Sequence, residues 1–197
     1  MTIVIHRVNT RAALSQIPEE YGVEIDLRTA GSKIVLNHEP FLGGEALEDW
    51  LDSYSHALLV LNVKEAGIET EVLSKVRGRG ITECFLLDVE FPYLYRASRK
   101  GERAIAVRYS EDEPIEFVDR YRSLVNWVWI DTNTTLPLNA ESVAKLSGMK
   151  TCLVCPERWG RPGDIARYQE QMMSIAFTPT AVMTAEKYSE QWRRWRS

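Results

Sequence analysis

The stretch YGVEIDLRTAGSKIVLNHEPF, Tyr21 to Phe41, decides how the chain is read. Two runs of strand character, GVEIDL and KIVLNH, flank the turn-forming TAGS, so the segment reads as a strand and a short hairpin partner. Each run carries ionisable groups that a buried strand should avoid: Glu24 and Asp26, two residues apart, and His38 at the close of the second run. Residues two apart on a strand share a face, so the two carboxylates project together. They either face outward, in salt bridges to helices, or line a site.

Working outward, seven further apolar, β-branched runs recur along the chain. They are Thr2 to Val8, Ala57 to Lys64, Glu83 to Phe91, Ala104 to Ser110, Trp127 to Thr132, Lys150 to Glu157 and Ser174 to Thr184. Segments of helical spacing separate them, among them GGEALEDWLDSY, IETEVLSKVRGRG, PIEFVDRYRSL, NAESVAKLSG and PGDIARYQEQMM. Asn139, followed by Glu141 and Ser142 and closed by Gly148, brackets one such helix, and Asp112 to Pro114 opens another. Strands alternating with helices imply right-handed crossovers and a parallel sheet buried on both faces. Eight such units predict an α/β fold of the (β/α)8 TIM-barrel type, compact, with a short β-hairpin extension after strand 2. The 197 residues are short for that fold and are read as a single domain over residues 1–197. An open doubly wound sheet is the alternative, but its glycine-rich phosphate loop is missing from HRVNTR, which follows the first strand.

Composition narrows the function classes. Hydrophobic residues make up 45% and charged ones 26%, as in ordinary globular proteins, and the net charge of -4 argues against an extended nucleic-acid surface. MTIVIHRVNTRAAL lacks the basic start and long apolar run of a secretory signal, so a cytoplasmic location is expected. Cys84, Cys152 and Cys155 lie in or beside apolar runs and read as reduced core thiols. Cys152 and Cys155 have CxxC spacing without a second ligand pair. In the tail QWRRWRS, Trp192 and Trp195 share a helical face that is expected to pack on the body; contact with a membrane surface is the alternative.

In a barrel of this type chemistry sits at the C-terminal ends of the strands. Polar residues gather there: His6 and Arg7, Glu24 and Asp26, Asn62 and Lys64, then Asp88 and Glu90, Arg108, Asp131 and Asn133, and Glu157 with Arg158. Paired carboxylates repel unless a cation or proton intervenes, and hard oxygen ligands suit Mg2+ or Ca2+. Two of the three histidines, His6 and His38, end strand-like runs near that pair, whereas His56 precedes its run and reads as structural.

Together, His6-Arg7, Asn9-Thr10, Glu24-x-Asp26, a short hairpin and then His38-Glu39 resemble the glycerophosphodiester phosphodiesterase family of phospholipase C-like barrels. The resemblance covers the first third of the chain and implies metal-assisted cleavage of a small or lipid-like phosphodiester. It implies His6 and His38 as general base and acid, Glu24, Asp26 and Asn62 as ligands to Mg2+ or Ca2+, and Arg7 and Lys64 as phosphate-binding cations. Asp88, Arg108, Asp131, Glu157 and Arg158 would complete the rim. Three positions depart from the family pattern: Asn62 replaces an acidic ligand, Glu39 replaces an aspartate, and the family's insertion after the hairpin is missing. Those departures motivate a second reading, a barrel that binds a phosphorylated ligand or partner without turnover. A third is a lyase or isomerase with Lys64 as a Schiff-base amine.

Overall fold

The structure is a computed structural model describing residues 1–195. The chain divides into two compact units, one spanning Val4–Lys100 and the other Gly101 onward together with Met1–Ile3.

The Val4–Lys100 unit runs through β1 (Thr2–Ile5, beginning in the other unit), α1 (Arg11–Leu14), β2 (Gly22–Ala30), β3 (Lys33–Leu36), β4 (Glu45–Ala46), α2 (Leu47–Leu51), β5 (Leu58–Val63), α3 (Glu69–Arg77), β6 (Cys84–Leu87) and α4 (Phe91–Arg99). β2 organises it. At nine residues, β2 is long enough for one edge to take two partners. β1 pairs in parallel with Gly22 and Val23, and β3 pairs antiparallel with Leu27 through Ala30. Its other edge pairs in parallel with β5 from Gly22 to Leu27, and β5 pairs in parallel with β6. Gly22 is required at the start, since a Cβ there would lie 2.8 Å from the Leu58 carbonyl oxygen. Val23, Ile25 and Leu27 alternate with Glu24 and Asp26, and all five are buried. The strand is therefore covered on both faces, which removes the outward salt-bridge reading of the carboxylates. Outside the sheet, α3 has acidic residues in its first turn, basic ones in its last, and a buried stripe of Val72, Leu73 and Val76, so dipole and packing agree.

The other unit contains β7 (Ala106–Tyr109), α5 (Ile115–Tyr121), β8 (Trp127–Ile130), α6 (Ala140–Leu146), β9 (Lys150–Val154), α7 (Asp164–Ser174), β10 (Ala181–Thr184) and α8 (Ser189–Arg194). β7, β8, β9 and β10 pair in that order, all in parallel, and the Thr2 N–H donates to the Thr180 carbonyl at 2.9 Å. The expected cap at Asn139 is present as a reciprocal box, in which Asn139 accepts from the Ser142 N–H and the Ser142 hydroxyl accepts from the Asn139 N–H. All three cysteines are buried and free, and burial pushes the Cys155 thiol up to about 11. The Trp192 indole N–H donates to Cys155 Sγ, which fixes α8 against the body; Trp195 meets Trp192 edge-on, while Arg196 and Ser197 of the same tail lie outside the described residues.

β1 and β9 each stop three residues short of expectation, at Ile5 and Val154, and two other boundaries differ more. Ser174 ends α7, and Ala176 adopts a left-handed backbone that terminates the helix, so β10 begins only at Ala181. Likewise, β6 stops at Leu87, Asp88 turns left-handed, and Phe91 with Pro92 opens α4 in place of continuing the strand. Among the described residues no helix is long and apolar enough to cross a membrane.

Candidate active site

Glu24 and Asp26 sit on one face of β2 with 1% and 0% exposure. Asn62 stands opposite Asp26 in the β2–β5 register, so the two strands bring three oxygen-bearing side chains together. The Glu24 carboxylate accepts from Asn62 Nδ2 at 2.7 Å on one oxygen and from the Arg7 backbone N–H at 2.7 Å on the other. His6 Nε2 lies 3.8 Å from that second oxygen. Asp26 Oδ2 accepts from Asn9 Nδ2 at 2.8 Å, and the Asp26 N–H donates to Asn9 Oδ1 at 2.8 Å, a two-point clamp. Around Asp26 stand two cations, Arg7 Nε at 3.9 Å and Lys64 Nζ at 3.7 Å. Lys64 Nζ is also 3.6 Å from Asp88 Oδ2, so it links two carboxylates as an ion-paired ammonium. A cavity of about 160 Å³ opens beside it, lined by Val63, Lys64, Glu65, Ala66, Asp88 and Glu90.

Two backbone outliers build this arrangement. Arg7 follows β1 with φ 57°, a left-handed turn that aims its N–H at Glu24, and the next N–H, of Val8, donates to the Glu24 carbonyl. Asp88 follows β6 with φ 60°. Each left-handed non-glycine residue costs on the order of 1–2 kcal/mol, and such strain concentrates at functional sites.

The electrostatics are frustrated. Burial, and secondarily the neighbouring Asp26 charge, push the Glu24 carboxyl up to about 7, against the opposing pull of Asn62, the Arg7 N–H and Lys64. Asp26 Oδ1 and Asn62 Oδ1 are both buried without a hydrogen-bond partner. No group of three His, Cys, Asp or Glu side chains converges as a metal site among the described residues. The donor set would instead be two carboxylates and an amide oxygen. Two buried hard oxygens without a hydrogen bond, one of them 3.7 Å from Lys64 Nζ, beside a carboxyl held up toward neutrality fit a divalent cation such as Mg2+ or Ca2+, which would take both as ligands and relieve the Glu24–Asp26 repulsion.

His38 reaches this neighbourhood through the backbone. The Asn37 N–H donates to the Asp26 carbonyl at 3.0 Å, and Arg28 bridges the His38 carbonyl (Nε, 3.0 Å) and the Lys64 carbonyl (Nη1, 2.9 Å). The His38 ring meets Glu39 through Nδ1 at 2.6 Å, and that bond holds the Glu39 carboxyl below its usual range. His56 binds the Ile17 carbonyl, away from the carboxylates.

The remaining rim candidates belong to the other unit and have their own partners. Arg108 forms an ion pair with the buried Asp131. Glu157 accepts from the Ala185 N–H at 2.8 Å, and Arg158 lies on the short 3-10 turn Pro156–Trp159. Asn9 and Arg28 are the supporting residues that sequence reasoning left without a role. Asn9 was within reach, because its fixed place after His6-Arg7 is part of the quoted pattern; a lone arginine near the end of a strand gives no such signal.

No protein-family model matches the sequence, and no curated protein does. Solved structures do resemble it. An Agrobacterium tumefaciens protein assigned as a glycerophosphoryl diester phosphodiesterase aligns at TM-score 0.68 and 14% identity, covering 100% of this chain and 98% of that one. A glycerophosphodiester phosphodiesterase from the same organism gives 0.64 and 12%, with 93% and 96% covered. An Oleispira antarctica phosphodiesterase, solved with its product sn-glycerol-3-phosphate, gives 0.63 and 17%, with 100% and 96% covered. The likeness shows the fold: this is an α/β chain of the (β/α)8-barrel class, with β1, β2, β5 and β6 as four of its parallel strands, β7 to β10 as the other four, and β3–β4 as the hairpin extension.

Proposed function

We propose that the chain is a divalent-cation-dependent phosphodiester hydrolase of the glycerophosphodiester phosphodiesterase kind, acting on a small or lipid-like phosphodiester. The observation that carries this reading is the convergence of Asp26 Oδ1 and Asn62 Oδ1, both buried without a hydrogen bond, beside Glu24 with His6 3.8 Å away and Lys64 Nζ 3.7 Å from Asp26 Oδ1. The fold likeness to a phosphodiesterase that holds sn-glycerol-3-phosphate supports it. Glu24, Asp26 and Asn62 would hold the cation, which when bound supplies Lewis acidity and a template for the phosphoryl group. Arg7 and Lys64 would offset the charge that develops on the phosphoryl oxygens. His6 and His38 would exchange protons with the attacking and leaving oxygens, with Glu39 fixing the His38 tautomer. Asn9 would act through Asp26, holding its carboxylate so that Oδ1 faces inward.

Asn62 favours a second reading, in which a phosphorylated ligand binds without turnover, because the amide brings one negative charge fewer than a carboxylate. Turnover separates the two. A chromogenic phosphodiester with Mg2+ or Ca2+ should be hydrolysed by the wild type, and His6→Ala and His38→Ala should each lower the rate by about 10²- to 10⁴-fold. Equal rates in wild type and both variants contradict the proposal; ligand binding with no turnover assigns the chain to the second reading.

A further inference from the structure

The loop that follows His38 ends in an exposed apolar tip. Phe41 is 102% exposed and Leu42 56%, two adjacent large apolar side chains presented to solvent. The tip is nevertheless pinned at its base. Asn37 closes both stems, its Nδ2 donating to the Gly43 carbonyl at 2.6 Å and its Oδ1 accepting from the Glu39 N–H at 2.9 Å. Gly44 lies so close to β3 that a Cβ would come within 2.2 Å of the Leu36 carbonyl oxygen. Phe41 itself has φ 63°, a left-handed conformation that a bulky residue adopts at a cost, although glycines stand at 43 and 44. A collapsed loop would turn these side chains inward; this one holds them out, three residues beyond His38.

Size and charge select the occupant. Two such side chains offer roughly 300–400 Å² of apolar surface, well below the roughly 800 Å² per partner of a stable protein interface. A lipid surface needs no matching shape and rewards each buried side chain separately. Between Lys33 and Lys64 the chain has no Lys or Arg, and of the acidic residues there Glu45, Glu48 and Asp52 are ion-paired to Arg11, Lys75 and Arg79, so the stretch presents no basic excess for an anionic membrane and a zwitterionic one fits. We propose that Phe41 and Leu42 form an interfacial anchor that seats in a zwitterionic phospholipid surface beside the His38 side of the site. The substrate is then a phosphodiester presented at a lipid–water interface, and this last step rests on the catalytic reading above.

Co-sedimentation of the intact protein with phosphatidylcholine vesicles tests the anchor without using catalysis. Wild type should partition onto the vesicles equally at low and high salt. Phe41→Ser/Leu42→Ser should lower the partition coefficient by about tenfold or more for each side chain withdrawn. Because both positions are exposed, the melting temperature and the hydrolysis of a soluble chromogenic phosphodiester should stay unchanged. Phe41→Gly should lose partition while relaxing the left-handed strain, so its loss cannot be ascribed to misfolding. Wild type that stays in the supernatant, variants that sediment as it does, or a wild-type dimer that the double variant dissociates would each overturn the anchor. Failure of the catalytic reading shows separately, as wild type that binds vesicles but never turns over a soluble phosphodiester.

Discussion

In the Val4–Lys100 unit the polar residues at the strand ends converge, whereas in the unit from Gly101 onward they pair off. Glu24 and Asp26 share one buried face, Asn62 Oδ1 has no hydrogen-bond donor, and Asp26 Oδ1 has only Lys64 Nζ at 3.7 Å, an ammonium shared with Asp88. Arg108 pairs with Asp131, and Glu157 is held by the Ala185 N–H. Both groups look alike in sequence, since each places Asp, Glu and Arg after apolar strands. What separates them is satisfaction: in the second group the partners complete one another, whereas in the first a buried amide oxygen is left over, as the proposed cation site requires.

Three experiments would break or sharpen that contrast. The largest effect belongs to Glu24. Its folded-state pKa, about 7, lies above the ordinary value of 4.5, so the folded state favours the protonated form. The stability this confers is complete below about pH 4.5 and is lost as pH rises through about 7, a change of roughly 3 kcal/mol. Urea unfolding in a chelator should show wild type losing about that much between pH 4 and 8, with Glu24→Gln losing none of this component. A flat wild-type profile would remove the frustration from the account.

Next comes the paired rim. Arg108→Ala removes the cation paired with the buried Asp131 and should destabilise the fold by about 2 kcal/mol, a value discounted because Arg108 is partly exposed. Adding Asp131→Asn should recover most of that loss, since there the pair serves the fold. Failure of the second change to rescue the first would mean that Asp131 is buried for some other purpose.

The smallest effect is at Asn62. Asn62→Asp adds a third negative charge beside Glu24 and Asp26, so it should tighten divalent-cation binding by about tenfold while lowering the stability of the cation-free protein. Calorimetric titration and unfolding measured on the same samples would show whether the two effects run in opposite directions, as a metal site requires.

Much of this was legible in residues 1–40. β-branched runs bounded by turn residues placed most of the strands, and Glu24-x-Asp26 stood out once His6 and His38 were seen to end neighbouring runs, since the pair alone fits outward salt bridges equally well. The misses have physical reasons. Ile175 and Phe177 look like strand residues but lie at the end of α7 and just past it, where Ala176 turns left-handed. Phe91 extends an apolar run, yet Pro92 suits the first turn of a helix and starts α4 there. Asn9-Thr10 enters the sequence reading only as part of the family-like pattern; in the structure Thr10 caps α1, accepting from the Ala13 N–H at 3.1 Å, and the clamp of Asn9 on Asp26 depends on a turn that periodicity does not reveal. The bridge from Arg28 to the His38 and Lys64 carbonyls joins segments 36 residues apart and leaves no local trace.

The central claim is that Glu24, Asp26 and Asn62 form an incomplete site which a divalent cation completes. Calorimetric titration of the chelator-treated protein with Ca2+ or Mg2+ at pH 7, in two buffers of different ionisation enthalpy, tests it most directly. With the Glu24 carboxyl pushed up to about 7, binding should release a fraction of a proton per cation, and Glu24→Gln should abolish that release. Binding without proton release, or no binding in the wild type, would contradict the account.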